Sequence, residues 1–246
     1  RVIYVWRYLL IVVYTIIWGT IALVGIAAGR RVPFVCWVAR SWIGWVVASC
    51  GIRIEAEGLE NVDPDQPFVL MTNHQSVFDI AAIVLTFPDD FHFVAKKELA
   101  RIPFFGWALA LSGIGIMIDR GRRERAVKSL QAAADQVAAG AHVIVFPEGT
   151  RSPIGELREF KSGGFHLALQ AGVPIVPGTV SGSLRITPKE SLRVESGTIK
   201  IVYGKPIPTA DVDPKDRDAL KAQVREAVRQ GYDPALQRSA GSPTPD

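Results

Sequence analysis

The chain is poor in the residues that build covalent or metal-held scaffolds. It has two cysteines, Cys36 and Cys50, and four histidines in 246 residues. No CxxC pair and no Cys/His cluster occurs, which argues against a disulfide framework and against a zinc site. Both thiols fall in an apolar stretch, where they read as buried small hydrophobes. There is no GxxxxGK[ST] phosphate loop and no GxSxG nucleophile elbow. Zinc-finger spacing, a basic heptad region and an RNA-binding aromatic signature are all missing, so the net charge of +4 and pI near 9.2 do not point to nucleic acid. A basic surface also suits anionic lipid or phosphate-bearing substrates. No internal repeat is present.

Charge is scarcest at the beginning. From Tyr8 to Gly29 no charged residue occurs, and the run is flanked by Arg7 and by Arg30 and Arg31. About 20 apolar residues suffice to span a bilayer, and Trp6, Tyr8 and the flanking arginines suit its interfaces. A signal peptide is the competing reading, but the run is long and no small-residue cleavage site clearly follows, so a retained membrane helix is expected. The next segment, Val32 to Cys50, is rich in Trp and Val but carries Arg40 at its middle. An Arg at the bilayer centre costs at least a few kcal/mol. This piece is therefore expected to lie in the interface or to pair with the first run as a shallow hairpin. Residues 1–50 form the expected membrane anchor.

From Gly51 the pattern becomes globular. Short apolar runs predict strands at Phe68–Met71, Phe91–Val94, Ile114–Ile118, His142–Phe146, Ile175–Thr179 and Thr198–Val202. Helical patterns lie between them at Ile80–Leu85, Phe104–Leu111, Arg122–Ala138 and Gly164–Gln170, with an amphipathic helix at Asp216–Gln230. Alternation of this kind predicts an α/β fold, a mixed, largely parallel sheet flanked by helices, over residues 51–232. The polar remainder, 233–246, reads as a mobile tail.

Three constellations carry chemistry. The first is Asn73-His74-Gln75-Ser76-Val77-Phe78-Asp79, on the connection from a strand to a helix. Histidine takes up a proton near neutral pH, and a carboxylate on its other ring nitrogen fixes the tautomer. A His and an Asp so spaced also serve to cap a helix start. The second is Phe146-Pro147-Glu148-Gly149-Thr150-Arg151-Ser152. Its glycine lets backbone amides approach an anion, and Arg151 offers a planar fork suited to phosphate. Taken alone it reads more readily as a solvated surface turn with one Arg. The third is Gly115–Arg120, where charge appears abruptly at the end of an apolar strand, with Arg120 best placed for a site. Val173–Gly178 adds a strand bordered by prolines and carries no reactive group.

In order and spacing these segments resemble the four motifs of the 1-acyl-sn-glycerol-3-phosphate acyltransferase family of glycerolipid acyltransferases. Lys96-Lys97-Glu98-Leu99 and Ile102–Gly106 are also similar to that family, and the resemblance covers roughly residues 50–205. Met117 stands where a Phe, Leu or Val is more usual. The resemblance implies an enzyme that moves a fatty acyl group from acyl-CoA or acyl-carrier protein to the 2-hydroxyl of lysophosphatidic acid, giving phosphatidic acid without cofactor or metal. It casts His74 as general base and Asp79 as its orienter. Arg151, Lys96 and Arg120 would hold the acceptor phosphate, beside Gly149 and Thr150. Glu148 either braces the site or contacts the glycerol. It further implies work at the cell membrane, with the active domain on the cytoplasmic side. Other lyso-lipid or glycerol 3-phosphate acceptors, a membrane-anchored hydrolase and a non-catalytic lipid-binding protein are the competing readings.

Overall fold

The computed structural model describes residues 2–118 and 123–237. Two helices come first, α1 (Val2–Ala27) and α2 (Val32–Cys50), joined by a tight turn as an antiparallel hairpin. The sheet strands are β1 (Ile52–Glu57), β2 (Val69–Thr72), β3 (His92–Lys96), β4 (Gly115–Ile118), β5 (Val143–Val145), β6 (Ile175–Ser181) and β7 (Gly197–Tyr203). The connecting helices are α3 (Phe78–Thr86), α4 (Phe105–Leu111), α5 (Arg123–Ala138), α6 (Gly163–Ala171) and α7 (Ser183–Ile186). α8 (Arg217–Gln230) and the single turn α9 (Pro234–Gln237) close the described chain.

Among the described residues the strands form one sheet in the order β1-β7-β6-β2-β5-β3-β4. β6, β2, β5, β3 and β4 run one way; β7 pairs antiparallel with β6, and β1 lies parallel to β7. The expected mixed, largely parallel sheet is thus present. β2 sits at its middle, every residue buried. Strand alternation sends Leu70 into one core and Val69 and Met71 into the other. α5, α6 and α8 cover the second face through Ala134, Phe165, Leu167 and Val224.

The first face holds the main departure from expectation. It is covered by α3 and also by α2: Val35, Cys36, Ile43, Val46, Val47 and Cys50 pack in the same core as Leu70, Ile83 and Ile199. Residue 50 is therefore a boundary in sequence texture and not in packing. Arg40 explains how a cation is accommodated in so apolar a helix. Its guanidinium turns into the domain, donates to the carbonyls of Phe87 and Asp89, and lies 5.3 Å from the Phe91 ring centroid. α1 packs outside α2 and presents Val2, Val5, Trp6, Leu9 and Val24 to the surroundings. Both helices are long and apolar enough to cross a membrane by length and composition, yet here they lie side by side along the domain.

The predicted strands and helices all form, with their ends shifted by at most two residues. β1 has no counterpart among the predicted strands. Its Ile-Arg-Ile-Glu-Ala-Glu alternation is the mark of an edge strand, whose charges point to water while Ile52 enters the core. At the other end, order continues through the turn Pro234–Gln237 into the segment expected to be mobile; residues 238–246 lie outside the described residues.

If α2 is a layer of the core, Ile43→Ala should lower unfolding stability by about 2–5 kcal/mol, the cost of a large-to-small change in a packed core. The urea midpoint of the detergent-solubilised protein measures this. An unchanged midpoint would mean that Ile43 faces lipid instead.

Candidate active site

The five co-directional strands end on one edge of the sheet, and the segments Asn73–Asp79 and Phe146–Ser152 meet there. β2 delivers Asn73 and His74 at its C-terminal end. Where the main chain leaves the sheet, the Asn73 side chain takes over the pairing. Its Nδ2 donates to the Val180 carbonyl at 2.8 Å, and its Oδ1 accepts from the Val180 amide at 2.7 Å. A fully buried amide thereby adds one more rung between β2 and β6 and sets where His74 leaves the sheet.

His74 is held from three sides. Its ring stacks on Phe146, centroids 4.0 Å apart and planes 22° apart. Its amide donates to Glu148 Oε1 at 2.7 Å, and its carbonyl accepts from the Ser152 amide at 2.7 Å. Its Nδ1 lies 2.7 Å from Asp79 Oδ2. Asp79 begins α3 and is fully buried. The same Oδ2 accepts from the amides of Gln75 at 2.6 Å and Ser76 at 2.8 Å, while Oδ1 accepts from the Ser183 hydroxyl. Donors surround an ionised carboxylate, which needs a proton on Nδ1 and leaves the Nε2 lone pair to accept one. The ring keeps 17% side-chain exposure, enough for a reactant to reach it.

The second motif wraps under the first. Gly149 turns with φ +72°, and a Cβ there would press on Lys161. This turn buries Glu148, which accepts from the amides of His74 and Arg158 at 2.7 and 3.1 Å. Burial pushes its carboxyl up, and those two amides work against that shift. These contacts tie the second motif to the His74 main chain. Arg151 is half-buried on the same loop and makes no hydrogen bond or ion pair among the described residues; Thr150 beside it is exposed. Lys96 ends β3, two strands from β2, which places it about 10 Å away along the edge at the usual ~4.8 Å spacing. Its side chain is exposed. Arg120 lies outside the described residues.

Three contacts were not anticipated. Ser183 follows β6 and reaches Asp79 from more than a hundred residues away in sequence. Phe146 was noted as the strand end before the turn, and its ring proves to be the platform for His74. Tyr232, after α8, places its hydroxyl 3.5 Å from Gln75 Nε2, which also donates to the Gly155 carbonyl at 2.9 Å. Burial, then the charge of Glu148, pushes the Tyr232 phenol up, so it stays neutral. No short-range pattern marks Ser183 or Tyr232. Among the described residues no group of three or more His, Cys, Asp or Glu side chains is arranged to hold a metal ion.

This geometry agrees with the relatives of the chain. An acyltransferase family model matches residues 53–181, a span that holds all four motifs. The chain is 37% identical over 204 residues to the 1-acyl-sn-glycerol-3-phosphate acyltransferase of Pseudomonas aeruginosa, covering 80% of this chain and 77% of that protein. It is 37% identical over 179 residues to the human 1-acyl-sn-glycerol-3-phosphate acyltransferase alpha, covering 72% of this chain and 63% of that protein, so it spans less than two thirds of the human relative. Among solved structures, the crystal structure of the 1-acyl-sn-glycerophosphate acyltransferase PlsC from Thermotoga maritima superposes with a TM-score of 0.78 at 27% identity, over 94% of this chain and 93% of that one. With half the chain matched by the family model and the Asn73–Asp79 and Phe146–Ser152 motifs joined at one sheet edge, the protein belongs to the acyltransferase family, alongside these 1-acyl-sn-glycerol-3-phosphate acyltransferases.

Proposed function

We propose that the protein transfers a fatty acyl group from an acyl thioester, acyl-CoA or acyl-carrier protein, to the 2-hydroxyl of 1-acyl-sn-glycerol 3-phosphate, forming phosphatidic acid at a membrane surface. The observation that carries this reading is the His74 imidazole, tied through Nδ1 to a buried, fully hydrogen-bonded Asp79 and set beside a loop that presents Arg151. The names and matched lengths of the relatives support the same acceptor.

The chemistry follows from the arrangement. His74 Nε2 takes the proton of the acceptor hydroxyl as the oxygen attacks the thioester carbonyl. The tetrahedral adduct collapses, the C–S bond breaks, and the imidazolium returns the proton to the sulfur. Asp79 holds the ring and stabilises its charged form. The transfer is direct. Ser76 donates to the Thr187 carbonyl and Ser183 to Asp79, so neither hydroxyl is poised as a nucleophile. Arg151 is the cation for the acceptor phosphate, with Lys96 and Arg120 as further candidates along the edge. Gly149 and Thr150 shape the loop around it, and no metal or cofactor takes part. The apolar outer face of α1, with the exposed Trp37 and Trp45 of α2, seats the enzyme on the bilayer that holds its acceptor and product. Its thioester donors are made inside the cell, so the active domain faces the cytoplasm.

Three outcomes test this reading. His74→Ala should lower kcat at least ~100-fold in an acyl-transfer assay, the scale of a lost general base; near-wild-type turnover would sink the mechanism. Arg151→Lys should raise the acceptor KM about tenfold, or ~1.4 kcal/mol, and should leave the KM of the thioester alone. Equal rates for acceptors with and without phosphate would remove Arg151 from that role. Glu148→Gln replaces one acceptor oxygen with a donor facing an amide. Thermal unfolding should reveal a loss of about 1.5–3 kcal/mol, with kcat falling and acceptor KM steady. A change confined to acceptor KM would instead place Glu148 on the glycerol.

A further inference from the structure

The stretch between β6 and β7 is tied at one end to the reacting pair and at the other to the membrane hairpin. It begins at Gly182, with φ +88°, where a Cβ would collide with the Thr198 carbonyl, so the chain turns abruptly into α7. Ser183, fully buried, donates to Asp79 Oδ1. Thr187 accepts from the Ser76 hydroxyl at 2.8 Å through its carbonyl, and its own hydroxyl donates to the Arg193 carbonyl at 2.9 Å. The Glu195 amide donates to the Ile186 carbonyl at 2.9 Å, which folds the segment back on itself. The first turns of α1 then grip its far end. Tyr4 donates its hydroxyl to Glu195 Oε1 at 2.6 Å, and Arg7 donates to the Val194 carbonyl at 2.6 Å. Arg193 pairs with Glu195 at 2.6 Å and lies 5.8 Å from the Tyr4 ring centroid. Val194 between them is buried in the sheet core.

We propose that residues 183–195 form a positioning strap: Ser183 orients the His74–Asp79 pair, and Tyr4 and Arg7 of α1 hold the strap in place. The N-terminal helix then has a second role beside membrane seating. This rests on the reading of His74 as general base. Ser183 matters because of where it pulls charge. Its hydroxyl holds Oδ1, opposite the oxygen that faces the imidazole, and draws negative charge away from the His74 side. Without it, Asp79 binds the imidazolium more tightly and the neutral base is harder to regenerate. Asp79 of α3 and Glu148 after β5 are the titratable groups whose charge bears on His74, Tyr232 after α8 lies against Gln75 and feels Glu148 and Asp79, and Ser183 touches only Asp79 among them.

The test uses the full-length enzyme in detergent micelles and on phosphatidylglycerol vesicles, with oleoyl-CoA and 1-oleoylglycerol 3-phosphate. Ser183→Ala should lower kcat about tenfold, equivalent to ~1.4 kcal/mol in the barrier, with acceptor KM unchanged and the acid limb of the rate profile moved to higher pH. Ser183→Thr, which keeps the hydroxyl, should restore both. Tyr4→Phe/Arg7→Gln changes no residue of the buried network and loosens the strap only from its far end; it should lower kcat in the same direction, about threefold (~0.7 kcal/mol), in micelles as well as on vesicles, with vesicle binding unchanged. A Ser183→Ala enzyme with wild-type kcat, or with reduced kcat and an unmoved acid limb, overturns the proposal. So does a Tyr4/Arg7 defect that appears only as lost vesicle binding. Should the wild-type enzyme fail to acylate this acceptor from oleoyl-CoA and from oleoyl-carrier protein alike, the acyl-transfer reading falls by itself. NMR titration of the His74 ring then decides the strap: an upward shift of its midpoint in both variants supports it, and an unchanged midpoint refutes it.

Discussion

The carboxylate of Asp79 is the constraint around which the active edge is organised. It is fully buried, and burial of an unpaired charge costs several kcal/mol. The protein offsets this cost with four donors on two oxygens: the amides of Gln75 and Ser76, the hydroxyl of Ser183 and the imidazole of His74. Each donor comes with a structural demand. The two amides require the chain to curl tightly between β2 and α3. Ser183 requires β6 to end beside that curl. The imidazole must keep its proton on Nδ1 and donate it to Asp79, which leaves the Nε2 lone pair free to accept one. Satisfying one buried charge thus builds the turn, brings in the β6 end and sets the tautomer of the reactive ring.

That arrangement needs a rigid base, and the central position of β2 supplies it. β5 and β6 flank it, and Asn73 extends the ladder past the last main-chain rung. Glu148 repeats the logic of Asp79 on the neighbouring loop, a buried carboxylate that binds two backbone amides and so joins the second motif to His74. Its carboxyl is pushed up by burial, so this joint is protonated more easily than a free glutamate would be.

The hairpin satisfies two environments at once. The inner face of α2 completes the protein core, while the outer face of α1 is too apolar for water. Arg40 shows the division: in lipid it would be costly, but its head hydrogen-bonds to the Phe87 and Asp89 carbonyls within the domain. A helix that reads by composition as a membrane segment is here also a wall of the catalytic domain.

Much of this was legible in order. The apolar runs at Phe68–Met71, His142–Phe146 and Ile175–Thr179 read as buried strands because strands covered on both faces need little polar alternation. The pairing of His74 with Asp79 was legible because both lie within one short turn. β1 went unread because its charges sit on an edge. What the sequence determined by itself is therefore local: element type, the apolar anchor, and the motif residues that chemistry and family resemblance single out. What only the tertiary structure decided is which distant groups meet. Ser183 reaches Asp79, Glu148 binds the His74 amide, Tyr4 holds Glu195, and α2 closes the core. The physical reason is that contacts between residues far apart in sequence depend on strand order and helix placement, and no periodicity along the chain encodes those.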